Sequence, residues 1–531
     1  TPAVAAVTLA GQVSSAEEGP MEGVLVSAKK DGSTITTTVV TDDKGHYSFP
    51  ADRIEPGHYT IAIRAIGYDL DGAKVVDLAD GASTSTDLKL VKTKNLAAQL
   101  SNAEWLASMP GSDKDKIAVN ACVSCHTLQR IVSSTHSPDE FKQIFHRMGT
   151  YSPGSVPTKP QPLLPGKRGE RPPINDAVAQ KVADLLSNAN LSMADAHEYS
   201  LKTLPRPKGR ATHVVITEYD LPNADWEPHD VVMDHEGMLW FSDFGDQRMG
   251  ELDPKTGKVN TYMIPIMKPG EPKGGLEIDV DPSDTVWEAM MYQGGIVKFD
   301  RATKQIVTYK LPDAIQSNST QESMVSPDHD DVDGYVWTNN QEDHSLIRLN
   351  LKTGKLENMG VEKDANGKPI PGYGIPTDLQ NQPYMLEFGN TRVGHYNKQT
   401  GIAEVFNTPS PSSKPRRGRV DSQNRLWFAE TNGNAIGMFD PDKKSIQEWK
   451  LSIPWSDPYD VVAAKNGDVW TGSMYSDFVS RLDPKSGEFT NYLLPKETNI
   501  RRVFVDNTPA RPVLWVGNNH GGEIIKVEPT D

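Results

Sequence analysis

Two cysteines and a histidine stand together in NACVSCHTLQR, residues 120–130, and the 531-residue chain contains no other cysteine. Such a pair can exchange disulfides, bind zinc or carry haem c. A redox CxxC opens a helix after a strand, whereas here a polar helical pattern, SDKDKIAVNA, precedes it. A zinc site needs four ligands, and no second CxxC or HxxxH pair exists. Cys122, Cys125 and His126 therefore favour covalent haem attachment through two thioethers, with His126 as an axial iron ligand.

The residues after this motif predict a helix that carries a second iron ligand. The run TLQRIVSSTHSPDEFKQIFHRM contains SPDE, which is typical of a helix start with Ser137 as N-cap and Glu140 at N3. It resembles class I c-type cytochromes, in which a helix ending in RM follows the haem motif. The resemblance implies that Met148 is the sixth iron ligand. The alternatives that remain open are His146, His136 and Met193.

Two further helical patterns flank the motif. SNAEWLASMPGSDKDKIAVN, with Trp105, lies upstream, and DAVAQKVADLLSNANLS lies downstream. The proline-rich run SPGSVPTKPQPLLPGKRGERPP can form neither a helix nor a central strand. It is either an ordered wrap around the haem edge or an exposed loop. We predict a monohaem cytochrome c domain over residues 94–205.

The N-terminal part has a different pattern. Residues 5–92 alternate apolar and polar residues in short runs, and DDKG (42–45) between two such runs predicts a turn. This pattern predicts a small β-sandwich domain over residues 1–93. Its run GVLVSA, TTVVTDDKGHYSF and GHYTI resembles the carboxypeptidase regulatory-like (transthyretin-like) domain. The resemblance implies a module without chemistry of its own, used for docking or spacing.

An aromatic strand pattern recurs through the rest of the chain with a period of about 43 to 50 residues, the length of one four-stranded propeller blade. Its seven occurrences are LWFSD (239–243), VWEAM (286–290), VWTNN (336–340), MLEFG (385–389), LWFAE (426–430), VWTGS (469–473) and LWVGN (514–518). We therefore predict a seven-bladed β-propeller over residues 206–531. Because VVITEYDL (214–221) precedes the first repeat and the last repeat lacks an outer strand, the first strand is expected to close the ring.

The runs LWFAETNGNAIGMFDP and ITEY-x-L-P resemble the propellers of virginiamycin B lyase (streptogramin lyase), over residues 214–531. That family has a Glu-x-His followed by an acid, and this chain has Glu227, His229 and Asp243 at that spacing. Asp243 stands where the family has Glu, and the three residues lie in the first repeat. The resemblance implies that His229 takes a proton or binds a metal, with Glu227 or Asp243 orienting it.

Propeller geometry brings residues of every repeat to one mouth, where the innermost strands begin and the second strands end. The residues predicted to bind substrate there are Arg416, Arg417, Arg501, Arg502, Tyr459 and Glu277. Four neighbouring arginines repel one another and need an anion or acids nearby. An anionic small-molecule substrate is therefore expected. No paired-histidine spacing requires a divalent metal in the propeller. A metal there remains an open alternative.

Charge and composition limit the function classes. The formal net charge of −16 argues against binding nucleic acid or a polybasic membrane contact, and no apolar run is long enough to span a membrane. The sequence begins TPAVAAVTLAG, which we interpret as a mature protein after removal of a signal peptide. Since haem c is attached outside the cytoplasm, a periplasmic location is expected.

The predicted fold class is a multidomain, mainly β protein: an Ig- or transthyretin-like β-sandwich, a small α-helical cytochrome c domain and a seven-bladed propeller. The predicted function is that of a periplasmic haem c-dependent oxidoreductase. Its substrate binds in the propeller mouth, and its electrons pass through the haem to another periplasmic electron-transfer protein. Two alternatives remain: an electron-transfer cytochrome with a partner-binding propeller, and a lyase.

Overall fold

The computed structural model describes residues 8–164, 175–193, 199–316 and 322–531. These residues form a mainly β protein with an N-terminal β-sandwich, a helical segment and a C-terminal propeller-like array of sheets. Part of the proline-rich run, residues 165–174, lies outside the described residues, as does the side chain of Met193. Within the described ranges no helix has the length and apolar character needed to cross a bilayer.

The N-terminal β-sandwich contains two sheets whose inward side chains form one core. Its strands are β1 (Thr8–Ser15), β2 (Gly19–Pro20), β3 (Leu25–Lys30), β4 (Ile35–Val40), β5 (His46–Ser48), β6 (Gly57–Arg64), β7 (Tyr68–Leu70), β8 (Lys74–Leu78), β9 (Ser83–Ser85) and β10 (Leu88–Lys92). Strand β6 alternates as the sequence predicts, with Tyr59 and Ile61 buried in the core. Strands β3, β4, β6 and β8 form one sheet, and β1 pairs with β2, β5, β9 and β10 in the other.

A helical segment follows the sandwich. Its helices are α1 (Asn102–Ser108), α2 (Asp113–Lys116), α3 (Leu128–Val132), α4 (Pro138–Met148) and α5 (Asp176–Ala189), with 3-10 helices at Leu96–Gln99, Ile117–Ser124, Leu191–Met193 and Gly209–Thr212. The capping box predicted from SPDE is confirmed, because the Ser137 hydroxyl accepts from the N–H of Glu140 and the Glu140 carboxylate accepts from that of Ser137. Trp105 is fully buried in the core of this segment.

The propeller-like part is a succession of antiparallel sheets. Its strands are β11 (Val214–Asp220), β12 (Pro228–Met233), β13 (Leu239–Asp243), β14 (Arg248–Leu252), β15 (Val259–Met263), β16 (Gly275–Val280), β17 (Val286–Met290), β18 (Gly295–Asp300), β19 (Gln305–Lys310), β20 (Glu322–Ser326), β21 (Tyr335–Asn340), β22 (Leu346–Asn350), β23 (Lys355–Gly360), β24 (Tyr384–Leu386), β25 (Arg392–Asn397), β26 (Ile402–Asn407), β27 (Pro415–Val420), β28 (Leu426–Glu430), β29 (Ala435–Asp440), β30 (Ser445–Lys450), β31 (Val461–Ala463), β32 (Val469–Thr471), β33 (Phe478–Asp483), β34 (Glu488–Leu493), β35 (Ile500–Asp506), β36 (Val513–Asn518) and β37 (Glu523–Pro529). A short helix, α6 (Asp330–Asp333), joins β20 to β21.

Consecutive strands pair within each sheet, and the fourth sheet departs from the pattern. Strands β12–β15, β16–β19, β20–β23, β27–β30 and β31–β34 form four-stranded sheets, whereas β24–β26 form a three-stranded one. An irregular stretch, tied by the bridges Gly374↔Leu386 and Thr377↔Pro383, takes the place of its innermost strand. The recurring aromatic residue of the sequence pattern is a buried tryptophan in each of the five four-stranded sheets and in the last sheet, which contains β36. These tryptophans are Trp240, Trp287, Trp337, Trp427, Trp470 and Trp515.

The predicted pairing of the first strand with the last sheet is confirmed, but this strand also has a second partner. Strand β11 pairs with β37 along its whole length, and its other edge pairs with β4 of the sandwich. The result is one sheet with the order β35-β36-β37-β11-β4-β3-β6-β8. Residues of each part also enter the hydrophobic core of the other part. Val215 of β11 lies in the sandwich core, and Val40 of β4 lies in the propeller core. The sandwich is thus joined to the propeller by backbone hydrogen bonds.

Candidate functional site

A β-bulge recurs where the innermost strands of five sheets begin, and it sets the direction of the mouth side chains. The register shifts lie between Pro228 and Val231, Gly275 and Ile278, Glu322 and Val325, Pro415 and Gly418, and Ile500 and Val503. A bulge places two residues opposite one and re-aims their side chains. All the predicted propeller site residues except Glu227, Asp243 and Tyr459 fall inside these bulges.

The paired residues separate into two layers. The upper layer consists of His229, Arg416, Tyr459 and Arg501, and its Arg501 donates to the helical segment. The lower layer consists of Asp230, Glu277, Arg417 and Arg502, which ion pairs connect. A strand without a bulge would turn consecutive side chains to opposite faces of the sheet. The bulge instead allows the two residues of a pair, such as Arg416 and Arg417, to contact different groups near the mouth.

The lower layer is a network of buried ion pairs. Arg417 makes a bidentate contact with Asp230 at 2.9 and 2.7 Å and lies 3.1 Å from Glu277. Arg502 contacts Glu277 at 3.2 Å and Asp279 at 2.7 Å. Burial raises the pKa of Glu277 to about 7 against the opposing effect of Arg417 and Arg502. Carboxylates of the chain itself therefore neutralise Arg417 and Arg502, which do not need a substrate anion for that purpose.

His229 joins the two layers. Its Nδ1 lies 2.5 Å from Asp230 Oδ1 and its Nε2 3.2 Å from the Tyr459 hydroxyl, while Phe244 stacks on its ring at 4.6 Å. The side chain is fully buried, and burial lowers the pKa of His229 to about 3 although Asp230 opposes this. The sequence analysis expected Glu227 or Asp243 as the orienting acid. The structure places Asp230 in that position.

Glu227 and Asp243 lie next to each other in a separate part of the first sheet. The N–H of Glu227 donates to Asp243 at 3.4 Å, and Asp243 forms an ion pair with Arg248 at 3.0 Å. Burial and the charge of Asp243 raise the pKa of Glu227 to about 8. Asn519 donates to Glu227 at 3.5 Å. The described residues contain no group of three or more His, Cys, Asp or Glu side chains placed to hold a metal ion.

The other two arginines have aromatic surroundings. The guanidinium carbon of Arg416 lies 3.8 Å from the ring centre of Tyr459, 4.6 Å from that of Phe388 and 5.2 Å from that of Tyr373. Arg501 lies 5.5 Å from the Tyr459 ring and donates to Asn499 at 2.6 Å. Neither arginine forms an ion pair with a carboxylate of the described residues. Arg416 is half-buried, whereas Arg501 is buried.

The CxxCH segment packs directly against this mouth. Four propeller side chains hydrogen-bond its backbone carbonyls. The bonds run from Tyr475 to Asn120 at 3.1 Å, from Asn499 to Val123 at 3.4 Å, from Arg501 to Ser124 at 3.2 Å and from His520 Nε2 to Ser124 at 3.1 Å. Apolar contacts continue the interface, because Tyr459, Met474 and Tyr475 belong to the same core cluster as Trp105 and Val123. The helical segment therefore covers the mouth.

The chemistry of the three motif residues fits haem c. Cys122 and Cys125 form no disulfide, and burial raises the pKa of the Cys122 thiol to about 12. The His126 Nδ1 lies 3.1 Å from the Thr127 carbonyl, so the nitrogen carries the proton there and Nε2 keeps its lone pair for a metal. Burial lowers the pKa of His126 and keeps the imidazole neutral, as iron ligation requires.

The candidates for a second iron ligand lie on or near α4. Met148 is the last residue of α4 and its side chain is 37% exposed. His136 packs edge-on against Phe141 with ring centres 5.7 Å apart, and His146 lies in the last turn of α4. Among the described residues, no hydrogen bond or ring contact joins Met148 or either histidine to His126. Residues 151–164 continue from α4 to the propeller, where Lys159 and Gln161 bond the Gly245 carbonyl.

Several residues that build this site carry no signal of their own in the sequence. Asp279 and Asn499 fall in ordinary strand and loop positions. Tyr373 lies in the irregular stretch of the fourth sheet, where the repeat spacing fails and alignment gives no position. Only His520, which follows the end of a second strand, could be placed near the mouth from the repeat.

Comparisons with known proteins agree with this fold in two parts of the chain. Residues 270–531 match the model of the virginiamycin B lyase family, and residues 8–91 match that of the carboxypeptidase regulatory-like domain. Neither match extends into the helical segment. The comparison with curated proteins returns no match.

Among solved structures, the virginiamycin B lyase from Staphylococcus aureus is 19% identical with a TM-score of 0.51, covering 59% of this chain and 99% of that chain. A catalytically inactive variant of that lyase with quinupristin is 18% identical with the same TM-score and the same coverage. A streptogramin B lyase structure is 18% identical, again with a TM-score of 0.51, and covers 60% and 99%. These likenesses establish a lyase-like propeller fold for the C-terminal part.

Proposed function

We propose that this protein is a haem c-dependent oxidoreductase that oxidises a small anionic substrate at the propeller mouth. The observation that carries the proposal is the contact between the CxxCH segment and the mouth. The carbonyl of Ser124, between the two cysteines, accepts from Arg501 and from His520. A haem on this segment would adjoin the mouth, as direct electron transfer requires.

Cys122 and Cys125 would hold the haem through thioethers, and His126 Nε2 would bind its iron, with Met148 as the sixth ligand. A haem bound there supplies a one-electron acceptor for the substrate. The remaining contacts position the segment: Tyr475 and Asn499 fix its backbone before and within the CxxC. Such positioning residues hold a cofactor site at a constant distance from the substrate.

The propeller supplies the substrate site of the proposal. We count seven blades, with the sheet β35-β36-β37-β11 as the seventh, around one mouth. Neither Arg416 nor Arg501 forms a direct ion pair with a carboxylate of the described residues, although both act on the buried Asp457, and their positive charge would attract an anionic substrate. His229 is fully buried and holds Tyr459 in place, so the half-buried Arg416 is the more accessible binding group. Electrons would leave to another periplasmic electron-transfer protein.

The likeness to the virginiamycin B lyase family favours a lyase as the second candidate. A lyase reaction has no use for the CxxCH segment, yet that segment covers the mouth and is bonded to it. The fully buried His229 also lacks the exposure that a proton-transferring residue needs for direct contact with a large substrate. A protein that only carries electrons is the third candidate, and it would have no use for the free charges of Arg416 and Arg501.

The test follows haem reduction by two related donors, hydroquinone and 2,5-dihydroxybenzoate, which differ by one carboxylate. In the oxidised full-length protein at low salt, the carboxylate donor should reduce the haem faster. The double variant Arg416→Ala/Arg501→Ala should lose this preference, because the two guanidinium groups bind the carboxylate. Dithionite should reduce both proteins equally.

A matched control is Arg425→Ala, which removes an arginine that forms an ion pair with Asp421 at a turn of the fifth sheet. This variant should keep the preference of the wild type. Equal rates with the two donors in the wild type, or an unchanged preference in the double variant, would contradict substrate binding at the mouth. Dithionite reduction without any reduction by either donor would favour the electron-carrier alternative.

A further inference from the structure

Tyr373 occupies a fixed position at the edge of the mouth. It lies in the irregular stretch that replaces the innermost strand of the fourth sheet, and its ring is half-buried. Its N–H donates to the Leu386 carbonyl at 2.8 Å. Its carbonyl accepts from Asn339 at 3.1 Å and from Gln341 at 3.2 Å. Three hydrogen bonds therefore fix the backbone of Tyr373, and the residue is only partly buried.

The hydroxyl of Tyr373 makes one short contact, with the hydroxyl of a buried tyrosine. It lies 2.6 Å from the hydroxyl of Tyr459, which in turn lies 3.2 Å from His229 Nε2. A distance of 2.5–2.7 Å is typical of an O–H group that donates to a charged oxygen. Tyr459 is fully buried, and burial is the largest of the effects that raise the pKa of Tyr459. Tyr459 thus keeps its proton and can donate it to a Tyr373 phenolate.

Arg416 supplies the positive charge that a phenolate needs. Its guanidinium lies among the rings of Tyr373, Phe388 and Tyr459 and has no carboxylate ion pair among the described residues. Burial alone would raise the pKa of Tyr373, but the charge of Arg416 and the bond from Tyr459 outweigh it, and the pKa lies below its ordinary value. Lowering the pKa of a phenol increases the fraction present as phenolate, which is the form that can accept a proton.

Tyr373 and the CxxCH segment pack against the same core cluster. This cluster contains Tyr459 and Tyr475, and Cys122 packs against it. We propose that Tyr373 is the catalytic base of this mouth and that the substrate is a hydroxyl-bearing electron donor of the phenol or hydroquinone class. This inference rests on the proposed function and names the substrate class and the proton acceptor for the same site.

The step balances in protons and electrons. The O–H bond of the bound donor breaks, and its proton forms a new O–H bond on the Tyr373 phenolate. The electron would go to the haem of the proposed function, which would serve as the one-electron acceptor, and the donor would leave as the oxygen radical. Tyr373, which is only partly buried, then releases the proton to solvent. Arg416 stabilises the phenolate before the transfer and again once Tyr373 has released the proton.

The first experiment tests the phenolate without haem or substrate. Tetranitromethane nitrates phenolates, so brief treatment of the full-length protein at mildly alkaline pH should modify Tyr373 before Tyr309. Tyr309 is a half-buried tyrosine whose pKa is raised by burial. The rate at Tyr373 should exceed that at Tyr309 by about 10-fold for each unit that separates their pKa values. Arg416→Met should slow nitration of Tyr373 and leave Tyr309 unchanged.

The second experiment tests the base during electron transfer. Tyr373→Phe should slow haem reduction by 2,5-dihydroxybenzoate by about 100-fold. Reduction by hexaammineruthenium(II), which gives an electron without a proton, should be unchanged. In the wild type, the rate with the phenolic donor should fall as the pH drops through the pKa of Tyr373. Arg416→Met should shift this fall in rate to higher pH, because loss of the guanidinium charge raises the pKa of Tyr373. The variant Tyr309→Phe is the matched control and should react with both donors as the wild type does.

Two results would overturn the assignment of Tyr373. One is nitration of Tyr373 no faster than that of Tyr309. The other is a Tyr373→Phe protein reduced by both donors at wild-type rates, a result that leaves the proposed function standing. If no donor reduces the wild type, the proposed function is wrong. The inferred phenol or hydroquinone substrate class is then wrong too. The nitration experiment then still decides whether Tyr373 is a low-pKa phenol.

Discussion

At the residue scale, the mouth uses neighbouring residues for different tasks. Arg416 and Arg417 are consecutive, yet the bulge in β27 gives Arg417 the Asp230 carboxylate and gives Arg416 an aromatic surrounding. The same division holds for Arg501 and Arg502. One arginine of each pair forms ion pairs with buried carboxylates, and the other lies against aromatic rings.

This division predicts unequal stability effects for two adjacent substitutions. Arg417→Met leaves the buried Asp230 charge without its main partner and should lower the free energy of unfolding by about 3–5 kcal/mol. Arg416→Met removes contacts with aromatic rings and should cost about 1 kcal/mol. Denaturant unfolding of both variants at neutral pH measures the difference. Equal losses in the two variants would show that the layers are not distinct.

At the element scale, strand β11 pairs with more than the last propeller sheet. It pairs with β37 on one side and β4 on the other, so a single strand joins the last sheet to the sandwich. Ion pairs support the junction, among them Lys29 with Asp220 and Arg53 with Glu528. Disrupting β11 should therefore lower the stability of both the propeller and the sandwich.

Thr217 is the central residue of β11, paired with Lys526 and with Thr37. Thr217→Pro removes an N–H from the middle of a sheet and should lower the free energy of unfolding by about 3 kcal/mol or more. Thr217→Val keeps the backbone bond and the β-branched shape, and it should be close to wild type. Thermal unfolding with probes in both parts is the measurement. If Thr217→Pro melts at the wild-type temperature, β11 does not link the two parts.

Sequence patterns predicted the elements that repeat or have local signals. The tryptophan repeat identified the sheets because each occurrence meets the same burial requirement, and SPDE identified the start of α4 because a capping box is local. The layers of the mouth could not be predicted, since an alternating strand pattern does not reveal a bulge. Neither could the pairing of Thr37 with Thr217, because contacts between distant strands leave no local signal. Tyr373 was missed where the repeat spacing breaks down.

At the scale of the whole molecule, the mouth is surrounded by buried acids whose protonation couples to stability. Burial raises the pKa of Glu322 to about 8, from an ordinary value of 4.5. The folded state therefore holds this proton up to about pH 8, whereas the unfolded chain releases it near pH 4.5. Because the folded state binds the extra proton, this group lowers stability as pH rises between those values.

Glu322→Gln should remove that pH dependence. Gln resembles the protonated acid, so the variant and the wild type should have similar stability at pH 5. At pH 9 the variant should be the more stable by on the order of 1–3 kcal/mol. Denaturant unfolding at several pH values measures this, with the exposed Glu488→Gln as a control for loss of one surface charge. A constant difference between pH 5 and pH 9 would contradict a protonated Glu322.

The central claim is that the segment bonded to the propeller mouth carries a covalent haem. The most direct measurement is the intact mass of the full-length protein after export in cells that attach haem c. We predict a mass increased by one haem in the wild type, and the unmodified mass in Cys122→Ala/Cys125→Ala. A wild-type protein that is exported and folded, with the mass of the bare polypeptide, would contradict the account.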